Sequence, residues 1–167
     1  MLKSRQKVQS IVFEIALTLL VLLSFSLGCG KELDHEPQLE VGEFAPFVAR
    51  FEQEASDNGA QLKVSDLRIR FGKMDSVYER GICEIFPNET PTIILKKSAW
   101  EVLTEEEQEA LLFHEMGHCV LRRNHEHKKT SEGIPVSLMY PYALDRFTYL
   151  KNQKNYMSEL VSKYGDF

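Results

Sequence analysis

The sequence predicts an α+β domain that follows a leader segment. Three observations support this: apolar residues recur at helical spacing after Phe44, short β-branched segments lie between residues 67 and 95, and a capped helix begins at Thr104. Helix, strands and then further helices is the order expected when helices pack on a small sheet. The composition, 43% hydrophobic and 27% charged residues, is that of a folded protein rather than a disordered or low-complexity one.

Residues 1–28 have the layout of a secretory signal. Lys3, Arg5 and Lys7 precede a mostly apolar stretch from Ile11 to Leu27. Positive charge followed by a short apolar run is typical of a signal peptide. We therefore expect the rest of the chain to be exported.

The leader ends in Ser26-Leu27-Gly28-Cys29, which resembles the lipobox of bacterial lipoproteins, although Ser26 stands where that family usually has leucine. The resemblance implies lipidation of Cys29 and a lipid anchor in the cell envelope. Gly30, rather than Asp, follows the cysteine, which resembles the outer-membrane default of enteric lipoproteins and implies the outer membrane where the cell has one. A simple secretory signal, giving a secreted or periplasmic protein, and an uncleaved anchor remain alternatives.

The chain after the leader is predicted to be a tether and one domain. Residues 29–42 carry acids and Pro37 without apolar periodicity, which is typical of a tether, and residues 43–167 are long enough for a single core. The formal net charge is −5, and the leader contributes three cations against one acid. The acidic remainder disfavours a nucleic-acid partner, because phosphate binding needs a basic face.

The first helix is predicted from Phe44 to Asn58-Gly59. Three strands are predicted to follow. Leu67–Phe71 alternates apolar and basic residues, and Thr92–Leu95 is short, apolar and β-branched. Gly81–Phe86 is a weaker candidate.

The second half of the chain is predicted to be helical around an irregular loop. Thr104 and Glu107 form a capping box for a largely buried helix that continues to about Arg122. Pro135 and Pro141 then exclude regular helix, and a closing helix follows Asp145.

The buried helix carries His114-Glu115-Met116-Gly117-His118. Residues four apart lie on the same helix face, so both imidazoles can share one metal ion. Glu115 lies beside the pair, where its carboxylate can contact a metal-bound water. Gly117 lowers helix propensity, which suggests that another group packs closely on the backbone there.

A catalytic zinc site needs three protein ligands and one open position. His125 follows His118 by seven residues, just past the predicted helix end, where a turn could bring it back. His127 is the alternative, and Asn124 is a poorer one because a neutral amide is a weak zinc ligand.

These residues, followed by Ser137-Leu138-Met139-Tyr140-Pro141, resemble the metzincin zinc endopeptidases, and the last segment is similar to the Met-turn of matrixins. The resemblance implies a single catalytic domain with a small sheet on a buried zinc-binding helix, an irregular Met-turn loop and a C-terminal helix. It also implies one zinc ion, with Glu115 as the general base. The resemblance implies that the zinc ligands are His114, His118 and His125, and that the Met-turn methionine is Met139. The implied residues of the substrate pocket wall are Tyr140, Pro141 and Tyr142.

The chain departs from the clan pattern in two places. Leu121 and Asn124 occupy the positions where the clan has glycine and the third histidine, and His125 comes one residue late. A turn without that glycine needs another path.

The predicted function is zinc-dependent hydrolysis of peptide bonds in proteins of, or outside, the cell envelope. Two alternatives remain. A gluzincin-type hydrolase would use Glu159 as its third ligand. A non-catalytic zinc-binding lipoprotein would close its site with a fourth ligand such as His127 and bind a partner.

Cys83 and Cys119 are the two cysteines that remain once Cys29 is assigned to lipid. In an oxidising envelope they can form a disulfide. Two buried free thiols are the alternative.

Overall fold

A computed structural model describes residues 35–162. The predicted signal peptide, Cys29 and the first part of the predicted tether lie outside these residues. No helix within residues 35–162 is long and apolar enough to cross a membrane.

A four-stranded mixed sheet forms one layer of the domain. Its strands are β1 (Leu39–Glu40), β2 (Leu67–Gly72), β3 (Gly81–Glu84) and β4 (Thr92–Lys96), in the spatial order β1-β2-β4-β3. β1, β2 and β4 are parallel, whereas β3 is antiparallel to β4 and forms an edge. β4 is the most deeply buried strand, as its β-branched sequence predicts.

The predicted tether differs from the structure at its end. Leu39 pairs with Leu67 and Glu40 with Arg68, so part of the predicted tether belongs to the sheet. Arg68 also donates two hydrogen bonds to the Glu40 carboxylate. A two-residue strand of exposed residues has no apolar pattern of its own, and only its partner strand defines it.

Four α-helices complete the fold within residues 35–162: α1 (Ala45–Asp57), α2 (Lys97–Trp100), α3 (Glu105–Cys119) and α4 (Arg146–Val161). A 3₁₀ turn, Gly42–Phe44, precedes α1. The predicted first, buried and closing helices are therefore present, and α2 was not predicted. Within the domain α1 packs on α3 through Phe51 and Phe113, whose rings lie edge to face with centroids 5.1 Å apart.

The fold fixes α3 at its start, along its length and at its end. The predicted capping box is formed, with Thr104 N donating to Glu107 Oε2 and Glu107 N to Thr104 Oγ1. Leu112, Phe113 and Met116 are fully buried in the core. A disulfide joins Cys119, the last residue of α3, to Cys83 on β3.

Candidate metal centre

Three histidines bring their ring nitrogens together at the C-terminal half of α3. His118 Nε2 lies 3.2 Å from His114 Nε2 and 3.2 Å from His125 Nε2. Among the His, Cys, Asp and Glu side chains of residues 35–162, these three form a group whose ligand atoms all lie within 4.8 Å of one another. His114 and His118 are half-buried, and His125 is exposed.

The other ring nitrogens of the α3 histidines are held by backbone carbonyls. His114 Nδ1 donates to Leu138 O at 2.8 Å, and His118 Nδ1 donates to Arg123 O at 2.6 Å. A proton on Nδ1 leaves Nε2 with a lone pair, so the two Nε2 atoms cannot hydrogen-bond each other. Burial lowers the pKa of both rings, to about 4 for His114, which keeps them neutral.

These nitrogens fit a divalent ion. Tetrahedral coordination with zinc–nitrogen bonds of about 2.0–2.1 Å places ligand nitrogens roughly 3.3 Å apart, close to the two distances of 3.2 Å. A cation would satisfy the converging lone pairs that the protein leaves unpaired. Carbonyl-oriented imidazoles are the usual environment of metal ligands.

The chain reaches His125 by a widened turn after α3. Val120 N and Leu121 N both donate to Met116 O, and Arg123 N donates to Gly117 O. Arg122 then adopts a left-handed conformation, with φ of 54°. The left-handed residue thus comes one position after the place where the clan has glycine, and the wider turn absorbs the additional residue.

Of the alternative third ligands, His127 lies outside the group of three histidines. His127 is exposed, and its ring centroid is 6.5 Å from that of His125. It therefore does not belong to the three-nitrogen group. Asn124 is exposed in the wall of the adjoining cleft.

Glu115 is buried beside the histidines, with 5% of its surface exposed. Burial, with a smaller contribution from the negative charge of Glu79, raises the pKa of its carboxyl to about 8. Gly81 on β3 leaves room for this side chain, because a Cβ there would lie 2.9 Å from Glu115 Oε1. Sequence reasoning missed Gly81, whose only signal is a glycine at the start of a predicted strand.

Met139 packs against the backbone of α3 at Gly117. It is fully buried, and a Cβ added to Gly117 would clash with Met139 Sδ. This contact explains the glycine between the two helical histidines. It places the methionine of the 137–141 segment directly against the helix turn that carries them.

An open cleft of about 710 Å³ adjoins the three histidines and Glu115. Tyr140, Pro141 and Tyr142 line it, as do β3 residues on the other side. Tyr140 is half-buried, with the Lys129 ammonium 4.9 Å from its ring centre, whereas Tyr142 is 72% exposed. The three predicted wall residues therefore share one cleft with the histidines.

Glu159 is not placed as a metal ligand, which corrects the gluzincin alternative. Its Oε1 accepts from Arg123 Nη2 and its Oε2 accepts from Ser137 Oγ. It does not belong to the group formed by His114, His118 and His125. Both carboxylate oxygens serve the loops that flank the centre.

A comparison with protein-family models matches residues 57–163, well over half of the chain, to a family described as "Putative phage metallopeptidase". The match includes α3, the turn to His125, the 137–142 segment and the whole of α4. Searches of curated proteins and of solved structures gave no significant match.

Proposed function

The chain belongs to this phage metallopeptidase family, and on that premise we propose that it is a zinc-dependent endopeptidase of the metzincin type. The observation that carries the proposal is the convergence of three Nε2 atoms beside a buried carboxylate in the wall of an open cleft. His114, His118 and His125 would hold the ion. His127 lies outside the group, which leaves room for an open fourth position.

Glu115 is the proposed general base. His114, His118 and His125 would hold a zinc ion, which would supply Lewis acidity to the scissile carbonyl and to water. A positive charge at the metal site would lower the pKa of Glu115 from about 8, and the resulting carboxylate would accept a proton from the attacking water and return it to the leaving amine.

The cleft is proposed to hold a protein or peptide substrate. Pro141 and Tyr142 would contact a substrate side chain, and the hydroxyl groups of Tyr140 and Tyr142 are candidate donors to the carbonyl oxygen as it gains charge. Met139 would support the helix turn that carries His114 and His118 through its contact with Gly117.

Glu115→Gln tests the reaction. We expect the wild type and the variant each to bind one equivalent of zinc. The variant should lose at least about a hundredfold of the peptidase activity on labelled casein, since general-base catalysis contributes this much or more. Glu43→Gln, an exposed carboxylate outside the cleft lining, is the matched control and should keep full activity. Retained turnover in Glu115→Gln would refute the assignment.

The third ligand is tested by alanine substitution along the turn. His125→Ala should lose zinc on dialysis, whereas His127→Ala and Asn124→Ala should retain it. Zinc loss from His127→Ala with retention in His125→Ala would instead make His127 the third ligand, and zinc loss from both variants would favour a closed, non-catalytic site.

We also propose, from the sequence of residues 1–30, that the chain is exported and anchored to the envelope by a lipid on Cys29. The disulfide between Cys83 and Cys119 is of a kind that persists in oxidising compartments. Metabolic labelling with radioactive palmitate should mark the wild type and not Cys29→Ser. Equal labelling of both would contradict the anchor.

A further inference from the structure

Glu159 on α4 contacts both loops that orient the helical histidines. We propose that it is a positioning residue of the metal centre: its carboxylate holds in place the two backbone carbonyls that accept hydrogen bonds from His114 and His118. The inference rests on the metal centre proposed above and assigns a role to a residue outside its ligands.

The first connection runs through Arg123. Its guanidinium, only 8% exposed, donates to Glu159 Oε1 at 2.5 Å and to the backbone oxygens of Glu159 and Leu160 at 3.0 and 2.8 Å. The backbone oxygen of Arg123 accepts the 2.6 Å hydrogen bond from His118 Nδ1. The side chain and the backbone of Arg123 are thus both fixed, one by α4 and the other by His118.

The second connection runs through Ser137, which is fully buried. Its hydroxyl donates to Glu159 Oε2 at 2.5 Å and accepts from Met139 N at 3.0 Å. These two bonds hold the backbone on both sides of Leu138. Leu138 O is the acceptor for His114 Nδ1.

One carboxylate therefore controls two histidine orientations through separate loops. A carboxylate suits this position because both contacts require an acceptor, and its negative charge offsets the buried Arg123 cation. A glutamine has one acceptor oxygen and an NH2 group that only donates, so its amide cannot replace both carboxylate oxygens, which accept separately from Arg123 and Ser137. Removing such an outer contact commonly costs ten- to a hundredfold in metal affinity.

The test compares zinc affinity in full-length wild type, Glu159→Gln and Gln153→Ala, by competition with a chromophoric chelator. Gln153 lies on the same helix but donates to Glu109, away from both loops, so its variant controls for loss of helix packing. We expect Glu159→Gln to bind zinc about tenfold more weakly and Gln153→Ala to match the wild type.

A second measurement separates positioning from general stability. NMR of the metal-free protein should show protected Nδ1–H signals for His114 and His118, and both should broaden or disappear in Glu159→Gln. Ser137→Ala, which breaks one connection only, should affect the His114 signal more than the His118 signal. This variant also serves if Glu159→Gln does not fold.

Unchanged zinc affinity in Glu159→Gln, or Nδ1–H signals that survive in it, would overturn the positioning role. Equal weakening of zinc binding by Gln153→Ala would overturn it as well. Failure of the wild type to bind zinc would instead refute the proposed function, and the NMR comparison in metal-free protein would still test Glu159.

Discussion

Burial of the Glu115 carboxyl makes the metal-free fold less stable at neutral pH than at acidic pH. The pKa of its carboxyl is about 8 in the folded protein, against an ordinary value of 4.5 in the unfolded chain. As the pH rises from 4.5 to 8, the unfolded chain releases a proton that the folded protein retains, so stability is lost across this window. Below it both states hold the proton and the effect vanishes.

Glu115→Gln should remove this pH dependence. The test measures the free energy of unfolding of chelator-treated protein by urea denaturation. The difference between variant and wild type should rise by about 2 kcal/mol in favour of the variant from pH 5 to pH 7. Glu43→Gln, an exposed carboxylate, should show no such gain. A constant difference between variant and wild type at the two pH values would contradict the buried acid.

Arg122 stores backbone strain at the turn to His125. Its φ of 54° lies in the left-handed region, which disfavours residues with a Cβ. Arg122→Gly should therefore raise the free energy of unfolding by about 0.5–1 kcal/mol without changing zinc content, and Arg122→Val should lower it. Destabilisation by glycine would mean that the arginine side chain contributes more than its backbone costs.

Between elements, the loop before α4 packs closely on α3 at Gly117. Gly117→Ala would improve helix propensity, but the new Cβ would clash with Met139 Sδ and lie 3.2 Å from Leu160 Cδ1. We expect a net loss of about 1–3 kcal/mol in thermal or urea unfolding, as overpacking costs this much. The double variant Gly117→Ala with Met139→Ala should be less destabilised than the sum of the two single variants, because the clash is then relieved. Strict additivity of the two losses would contradict the contact.

The disulfide fixes β3, an edge strand and one side of the cleft, to the end of α3. It closes a loop with a sequence separation of 36 residues. Replacing Cys83 and Cys119 together by serine should lower the free energy of unfolding by roughly 4 kcal/mol in the chain-entropy model. Urea unfolding of the double variant against non-reduced wild type measures this, and equal stability would mean that the bridge adds nothing.

Elements with a local signal were predictable from the sequence. The capping box at Thr104 involves residues three apart, and the His114–His118 pair needs only helical spacing, so both follow from adjacent residues. β1 and the end of α3 were not predictable in this way. β1 exists through pairing with β2, and the turn at Arg122 replaces the glycine that the clan pattern leads one to expect.

At the scale of the whole molecule, contacts between residues far apart in the sequence determine the role of Glu159 and the pairing of the cysteines, which local sequence patterns left open. The sequence offered Glu159 as an alternative ligand, whereas the fold directs its carboxylate to Arg123 and Ser137, which lie 36 and 22 residues away. The sequence also left the pairing of Cys83 and Cys119 open, and the packing of β3 on α3 brings them together. No local pattern encodes either contact.

The central claim is that three imidazoles hold one zinc ion while a fourth position stays open to the cleft. A crystal structure of zinc-loaded protein, with anomalous data at the zinc edge, tests it most directly. We predict a single peak bonded to Nε2 of His114, His118 and His125, with solvent in the fourth position and Glu115 beside it. No peak at this place, or a fourth protein ligand closing the site, would contradict the account.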